Sequence, residues 1–234
     1  MFTTIQSDQL TICTYTEFAP FAHLSDAGEI IGSDITLLRC FATAYGLEAT
    51  FLQRPFSGLW HRPGAGECDI AAAGMAALFG RDLGSNGLWT IPYQVVQRSL
   101  LIRQTDAPYL QKPTDFAGKT IVVTPDSSAD FDAQERYAPA GAIIVRTVPS
   151  QAEIVRQLLA HEIDAFAEGD VSNAYLAEQA LALDGTPRLV LADQHPMAMV
   201  EELRFAARAT DPRLCAQLNH FIRSTQDQSS PSIG

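Results

Sequence analysis

The residues best placed to do chemistry gather between Glu67 and Tyr93, and foremost among them is Arg81. It is the only charged side chain between Asp69 and Asp82. A guanidinium stays charged and can grip a carboxylate through two parallel hydrogen bonds. The competing reading is an ordinary arginine that opens a helix and faces water. Other chemistries lack their residues. The five histidines (His23, His61, His161, His195 and His220) are scattered, with no i,i+4 pair and no H-E-x-x-H. No G-x-S-x-G elbow, Walker loop or G-x-G-x-x-G is present, and Gly64-Ala-Gly66 precedes a strand instead of following one. These absences leave no cofactor or metal site to expect. Four cysteines (Cys13, Cys40, Cys68 and Cys215) match no zinc spacing and no C-x-x-C motif. Cys13 and Cys68 would begin neighbouring strands, so a disulfide is conceivable, but four buried free thiols is the preferred expectation.

Composition narrows the class. With 234 residues, 47% hydrophobic and 18% charged, the chain is long enough for one large or two modest globular domains. The net charge of −11 and the absence of any basic run argue against a nucleic-acid partner. No apolar run reaches the ~18 residues of a membrane span.

The elements that must position Arg81 read as alternating strands and helices. Leu10–Tyr15 alternates as a strand, Thr16–Phe21 is an aromatic loop, and Ser33-Asp34 can cap a helix carrying Ile35, Leu38, Cys40, Phe41 and Ala44. Ala49–Gln53 is a second strand, and Phe56–Trp60 starts a short helix. Ile70–Ala73 is a short apolar run that fits a buried strand or a piece of buried helix. Val95–Arg103 is a strand leaving the first domain; Thr120–Thr124, Ala142–Thr147, Ile163–Ala167 and Arg188–Ala192 are strands, with helices after Pro125, Ser150 and Gly169. Val200–Ala209 reads as strand and Pro212–Ser224 as helix, followed by a polar tail over 226–234 expected to be disordered. Strand–helix alternation predicts α/β architecture with parallel sheets wrapped by helices.

The run D-I-x-x-x-G-M, then Arg81, then Trp89-Thr-Ile-Pro-Tyr93 resembles the signature of family 3 extracellular solute-binding proteins, the amino-acid receptors of ABC importers. The resemblance covers Leu10 to about Ile222. It implies a type II periplasmic-binding-protein fold: lobe 1 from 1–100 and 193–225, lobe 2 from 101–192, two hinge strands, and a ligand held in the cleft between lobes. It also implies the site residues. Phe18, in Phe18-Ala-Pro-Phe21, and Phe56, in Pro55-Phe-Ser-Gly-Leu59, would wall the ligand. Gly74 and Ala76 would offer backbone groups, and Arg81 would pair with an α-carboxylate. Ser127 and Ser128, in Pro125-Asp-Ser-Ser128, would complete that grip at a helix start, where Ser127 can also act as a plain N-cap. The acid that meets the ligand ammonium would be Asp170, or failing it Glu168, because Gly169 stands where relatives carry Asp. Tyr15 occupies a position that is often Asp in receptors for basic amino acids, and Leu78 one that is often Thr. Together they favour an uncharged, polar or aromatic ligand over Lys or Arg.

The same resemblance implies a monomeric receptor that delivers a small amino acid or similar carboxylate to a membrane permease. The opening Met1–Asp8 has neither a charged nor an apolar signal region, so the chain is either cytosolic or a mature exported segment headed by a start methionine. The resemblance favours export to the periplasm or cell exterior. Two other readings share the fold: a cyclohexadienyl-dehydratase-like enzyme and a sensor module of a receptor. Dehydration needs a general acid, and where those enzymes carry Glu this chain has Ser172; Glu168 or Glu17 would have to serve.

Overall fold

The computed structural model describes residues 2–78, 80–147, 150–192 and 200–229. His195, the stretch 193–199 in which the expected lobe boundary falls, and the tail beyond 229 lie outside them. In chain order the elements are β1 (Gln9–Thr14), β2 (Glu17–Phe18), β3 (Ala22–Leu24), β4 (Ile30–Ile31), α1 (Ser33–Ala44), β5 (Glu48–Gln53), β6 (Ile70–Ala72) and β7 (Gly87–Trp89). Then come β8 (Gln94–Arg103), β9 (Thr120–Val123), α2 (Ser128–Arg136), β10 (Ile143–Arg146), α3 (Gln151–Leu159), β11 (Ala165–Gly169), α4 (Asp170–Gln179), β12 (Leu189–Leu191), β13 (Val200–Leu203), β14 (Ala206–Arg208) and α5 (Pro212–Ser229). The chain divides into two compact units, 1–95 with 202–234, and 96–201.

The first unit is built on a sheet of order β5-β1-β6-β14-β7. Leu10 and Ile12 of β1, Ile70 and Ala72 of β6 and Ala207 of β14 join one core with Leu38 and Phe41 of α1 and Leu214, Leu218 and Ile222 of α5. The i,i+4,i+8 spacing on α5 and the i,i+2 spacing on the strands put these side chains on facing surfaces. Asp69, fully buried, ties the unit together. It accepts from Thr11 N at 2.9 Å, Ile5 N at 2.9 Å and Arg208 Nε at 2.7 Å.

The second unit has the order β10-β9-β11-β8-β12, with β13 also pairing β8. Its central strands β9, β11 and most of β8 are buried on both faces, and alternation sorts their side chains. Leu100, Ile102, Ile121, Val123, Ala165 and Ala167 pack with Ala129 and Ala133 of α2. Leu101, Val122 and Phe166 pack with Ile154 and Leu158 of α3 and Leu176 of α4. Successive residues of one strand point to opposite faces, so a continuous apolar run serves two helical layers.

The architecture is α/β with two sheet-containing units, as the alternation of elements predicts, but several details differ. The sheets are mixed. β1 runs parallel to β5 and β6, and β9 to β10 and β11, whereas β14, β7, β8 and β12 are antiparallel additions. Cys13 and Cys68 are not free thiols but a disulfide, with Cα atoms 5.9 Å apart. The sheet order lays β1 beside β6, just past Cys68, within bridging distance. Cys40, expected to be buried, is exposed, because it turns away from the α1 face that carries Leu38 and Phe41. No helix starts at Arg81; glycines at 80 and 84 with φ of 90° and 72° give the chain turns there instead. The helix expected at Phe56–Trp60 is a single 3-10 turn, Leu59–His61. Finally, α5 continues through Ser229 into the stretch expected to be disordered. A helix already nucleated extends at small cost, and Gln226 Nε2 donates to Pro92 O at 3.1 Å.

Candidate functional site

In the first unit the candidate residues converge at the C-terminal ends of β1 and β6, where parallel α/β sheets carry their ligands. Arg81 is 7% exposed. Its Nη1 donates to Ala76 O at 2.9 Å, and its guanidinium carbon lies 5.4 Å from the Phe56 ring centroid and 4.7 Å from that of Trp60. Two aromatic faces and one carbonyl thus hold a weakly hydrated cation in place before any ligand arrives. Phe56 in turn meets Tyr15 edge-on at 5.7 Å and Trp60 at 6.2 Å. Ala76 forms an isolated antiparallel bridge with Leu203, which fixes the carbonyl that Arg81 uses.

Phe18 lies in β2 and packs against Phe21 at 5.2 Å. Its ring fills the space over Gly74: a Cβ there would sit 2.1 Å from Phe18 Cε1. Gly74 also has φ of 55°, so only glycine meets both demands. Its N–H donates to Asp34 Oδ2 at 2.9 Å, and Tyr93 donates to the same oxygen at 2.8 Å. Burial raises the Asp34 carboxyl to about 7 against the two hydrogen bonds that lower it.

In the second unit Ser127 is the N-cap of α2, its hydroxyl accepting from Asp130 N at 3.0 Å, and Ser128 is the first helical residue; both are buried. The Asp130 carboxylate reaches back to Asp126 N at 3.1 Å and forms an ion pair with Arg146 at 2.7 Å. Asp170 opens α4, and its Oδ1 accepts from Gln97 N at 3.0 Å and Val171 N at 2.9 Å. Glu168 is 4% exposed, and its Oε1 takes Arg98 Nη1 at 2.9 Å and Gly169 N at 3.0 Å. Burial raises its pKa despite that arginine. Arg98 also reaches Glu201 at 3.4 Å. A Cβ on Gly169 would lie 2.9 Å from Arg98 Nη2, so the guanidinium takes up the room a side chain there would need.

The structure thus groups Tyr15, Phe18, Phe56, Gly74, Ala76 and Arg81 in one unit, and Ser127, Ser128, Glu168 and Asp170 in the other. Sequence reasoning missed Trp60, Asp34 and Arg98. Trp60 follows Leu59 in what reads as a short helix, with nothing to mark its face. Asp34 passes for a capping residue, although the N-cap is Gly32. Arg98 did carry a signal: a charge inside the apolar strand VVQRSLLIR demands a buried acid. No group of three or more potential metal ligands occurs among the described residues.

Solved structures share this fold. The P235GK mutant of ArgBP from T. maritima superposes with a TM-score of 0.79 at 20% identity, covering 94% of this chain and 90% of that one. The amino acid ABC transporter substrate-binding protein AbpA from Streptococcus pneumoniae, bound to L-arginine, gives 0.80 at 20% over the same shares. The ancestral amino acid-binding protein AncCDT-1, a precursor of cyclohexadienyl dehydratase, gives 0.80 at 23%, again over 94% and 90%. No curated protein matches the chain in sequence. The profile of the bacterial extracellular solute-binding proteins, family 3, matches residues 10–230, and the chain belongs to that family.

Proposed function

We propose that this protein is a non-catalytic receptor that binds a small amino acid, or a similar carboxylate, and delivers it to the permease of an ABC importer. The observation that carries the reading is Arg81, buried, steadied on Ala76 O and faced by Phe56 and Trp60. A cation held this way is prepaid in conformational entropy and suits a ligand α-carboxylate. Phe18 and Phe56 are the walls, and Gly74 and Ala76 the backbone contacts. Ser127 and Ser128 at the start of α2, and Asp170 at the start of α4, are the second unit's contribution. Asp170 is the ammonium anchor ahead of Glu168, because Glu168 is already clamped by Arg98. The same clamp disfavours Glu168 as the acid of a dehydratase.

Relatives of this fold bind L-arginine, whereas Tyr15 and its aromatic neighbours favour an uncharged, polar or aromatic side chain here. The protein acts as a monomer in the periplasm or outside the cell; the Cys13–Cys68 bridge suits an oxidising compartment, and among the described residues no helix is long and apolar enough to cross a membrane. The test is a thermal-shift panel of the twenty amino acids and matched acids without the amine, on the wild type, Arg81→Ala and Arg81→Lys. A micromolar ligand at millimolar concentration stabilises by roughly 4 kcal/mol. A selective shift lost in both variants supports the reading. Shifts that survive Arg81→Ala overturn the Arg81 assignment, and shifts from amine-free acids alone overturn Asp170.

A further inference from the structure

Asp34 is a carboxyl with no salt-bridge partner among the described residues, at the base of the candidate site. It is the second residue of α1 and 1% exposed. One oxygen, Oδ2, accepts from both Gly74 N and the Tyr93 hydroxyl. The other, Oδ1, is buried and has no hydrogen-bond partner among the described residues. A buried carboxylate with one bare oxygen is costly, and a proton on that oxygen removes the charge, which is the larger part of that cost. We propose that Asp34 is a positioning residue for the ligand-contacting loop: through Oδ2 it fixes the Gly74 amide, and the loss or gain of its proton resets that amide and the Phe18 ring stacked on it. The inference rests on the receptor reading for the ligand contact at Gly74, and only for that.

The geometry explains why so small a group has leverage. Gly74 lies two residues past the end of β6 and directly under Phe18, so a shift of its amide is passed to the aromatic wall. Tyr93 is a permanent donor, since burial and the neighbouring Asp34 push its hydroxyl well above its usual range. The Asp34 backbone N–H is tied to Phe21 O at 3.1 Å, which leaves the side chain as the adjustable part. The groups acting on its charge are the Gly74 amide and the Tyr93 hydroxyl; from α1, Arg39 turns instead to Ile30 O. With the proton on Oδ1, Oδ2 is a carbonyl oxygen that accepts two ordinary hydrogen bonds. When the proton leaves, both bonds become charge-assisted and shorten. The acid form persists to about pH 7 in the folded chain, against 3.8 ordinarily. The folded state therefore keeps a proton that the unfolded chain has lost. The resulting stabilisation is complete below 3.8 and is lost as pH rises through about 7.

The experiment follows the Asp34 carboxyl carbon and the Gly74 amide by NMR from acid to mildly alkaline pH in ligand-free wild type, Asp34→Asn and Tyr93→Phe. Each of the twenty amino acids is titrated calorimetrically on either side of the inflection. The expected result is one shared inflection near neutrality for Asp34 and Gly74. Gly74 loses it in Asp34→Asn, and it moves to higher pH in Tyr93→Phe, which lacks one donor. Affinity should change across that inflection in the wild type and stay flat in Asp34→Asn. If Asp34→Asn does not fold, the wild type and Tyr93→Phe still decide. An Asp34 that titrates with ordinary carboxylates, a Gly74 amide that ignores it, or wild-type affinity that is flat across the inflection overturns the inference. A shared inflection with no amino acid bound at any pH upholds Asp34's hold on Gly74 and sinks the amino-acid form of the receptor reading instead.

Discussion

Replacing Cys13 and Cys68 together by alanine removes a bridge that closes a loop with a sequence separation of 55. In the chain-entropy treatment a loop of that length removes about 14 cal/mol/K from the unfolded ensemble, or roughly 4 kcal/mol at 25 °C. Both cysteines are fully buried, so alanine leaves no polar orphan and loses little packing beyond the sulfurs. For a chain of this size the change should lower the melting temperature by about 10 °C. The assay is calorimetric and urea unfolding of the wild type and Cys13→Ala/Cys68→Ala, each with and without a thiol-free reductant. The wild type under reductant should fall to the double variant's stability, which should not respond to reductant. Cys40→Ala, at an exposed thiol, is the control that should change nothing. Equal unfolding midpoints for oxidised wild type and double variant would refute both the bridge and the export argument built on it.

Gly74→Ala should abolish ligand-dependent stabilisation and cost roughly 1–3 kcal/mol from backbone strain alone, since φ is 55° and Phe18 must also yield; ligand-free and ligand-bound melting curves read both effects. Arg98→Met should destabilise the second unit by about 3–5 kcal/mol, because Glu168 and Glu201 are left buried beside each other without a cation. Adding Glu168→Gln and Glu201→Gln should recover much of that loss in urea unfolding, and no recovery would mean that packing, not charge, is what Arg98 supplies.

The longer strands were legible because their patterns are local, whereas β2, β3 and β7, of two or three residues each, were not. Leu10 and Ile12 announce β1, the run at Ile70 leaves strand and buried helix open, and the alternate burial of Leu100, Leu101 and Ile102 is what an apolar run between two helical layers requires. The residues of the motif around Arg81 were legible through resemblance, but the local structure was not, since glycines at 80 and 84 override the helix. What the sequence hid depends on distant partners. Cys13 meets Cys68 only because β1 and β6 are adjacent in the sheet. The bond from Arg98 to Glu168 spans 70 positions, and that from Tyr93 to Asp34 spans 59. No periodicity carries such information, so Glu168 looked like a spare acid and Asp34 like a cap.

The pairing of β14 with β6, through Ala206 and Ala71, has a consequence in time. A chain emerging from a ribosome or a translocation pore presents the whole of 96–201 before β14 appears. The inserted unit can therefore complete its sheet and collapse as a body, whereas the first unit's sheet waits with a gap between β6 and β7. Asp69 waits with it, buried in the finished fold but without Arg208 until the chain has nearly ended. Domains that fold as units thus do so here in reverse of their order of first appearance. The half that carries Arg81 matures last, and a chain truncated before β14 would keep an intact second unit while exposing the unfinished edge of the first.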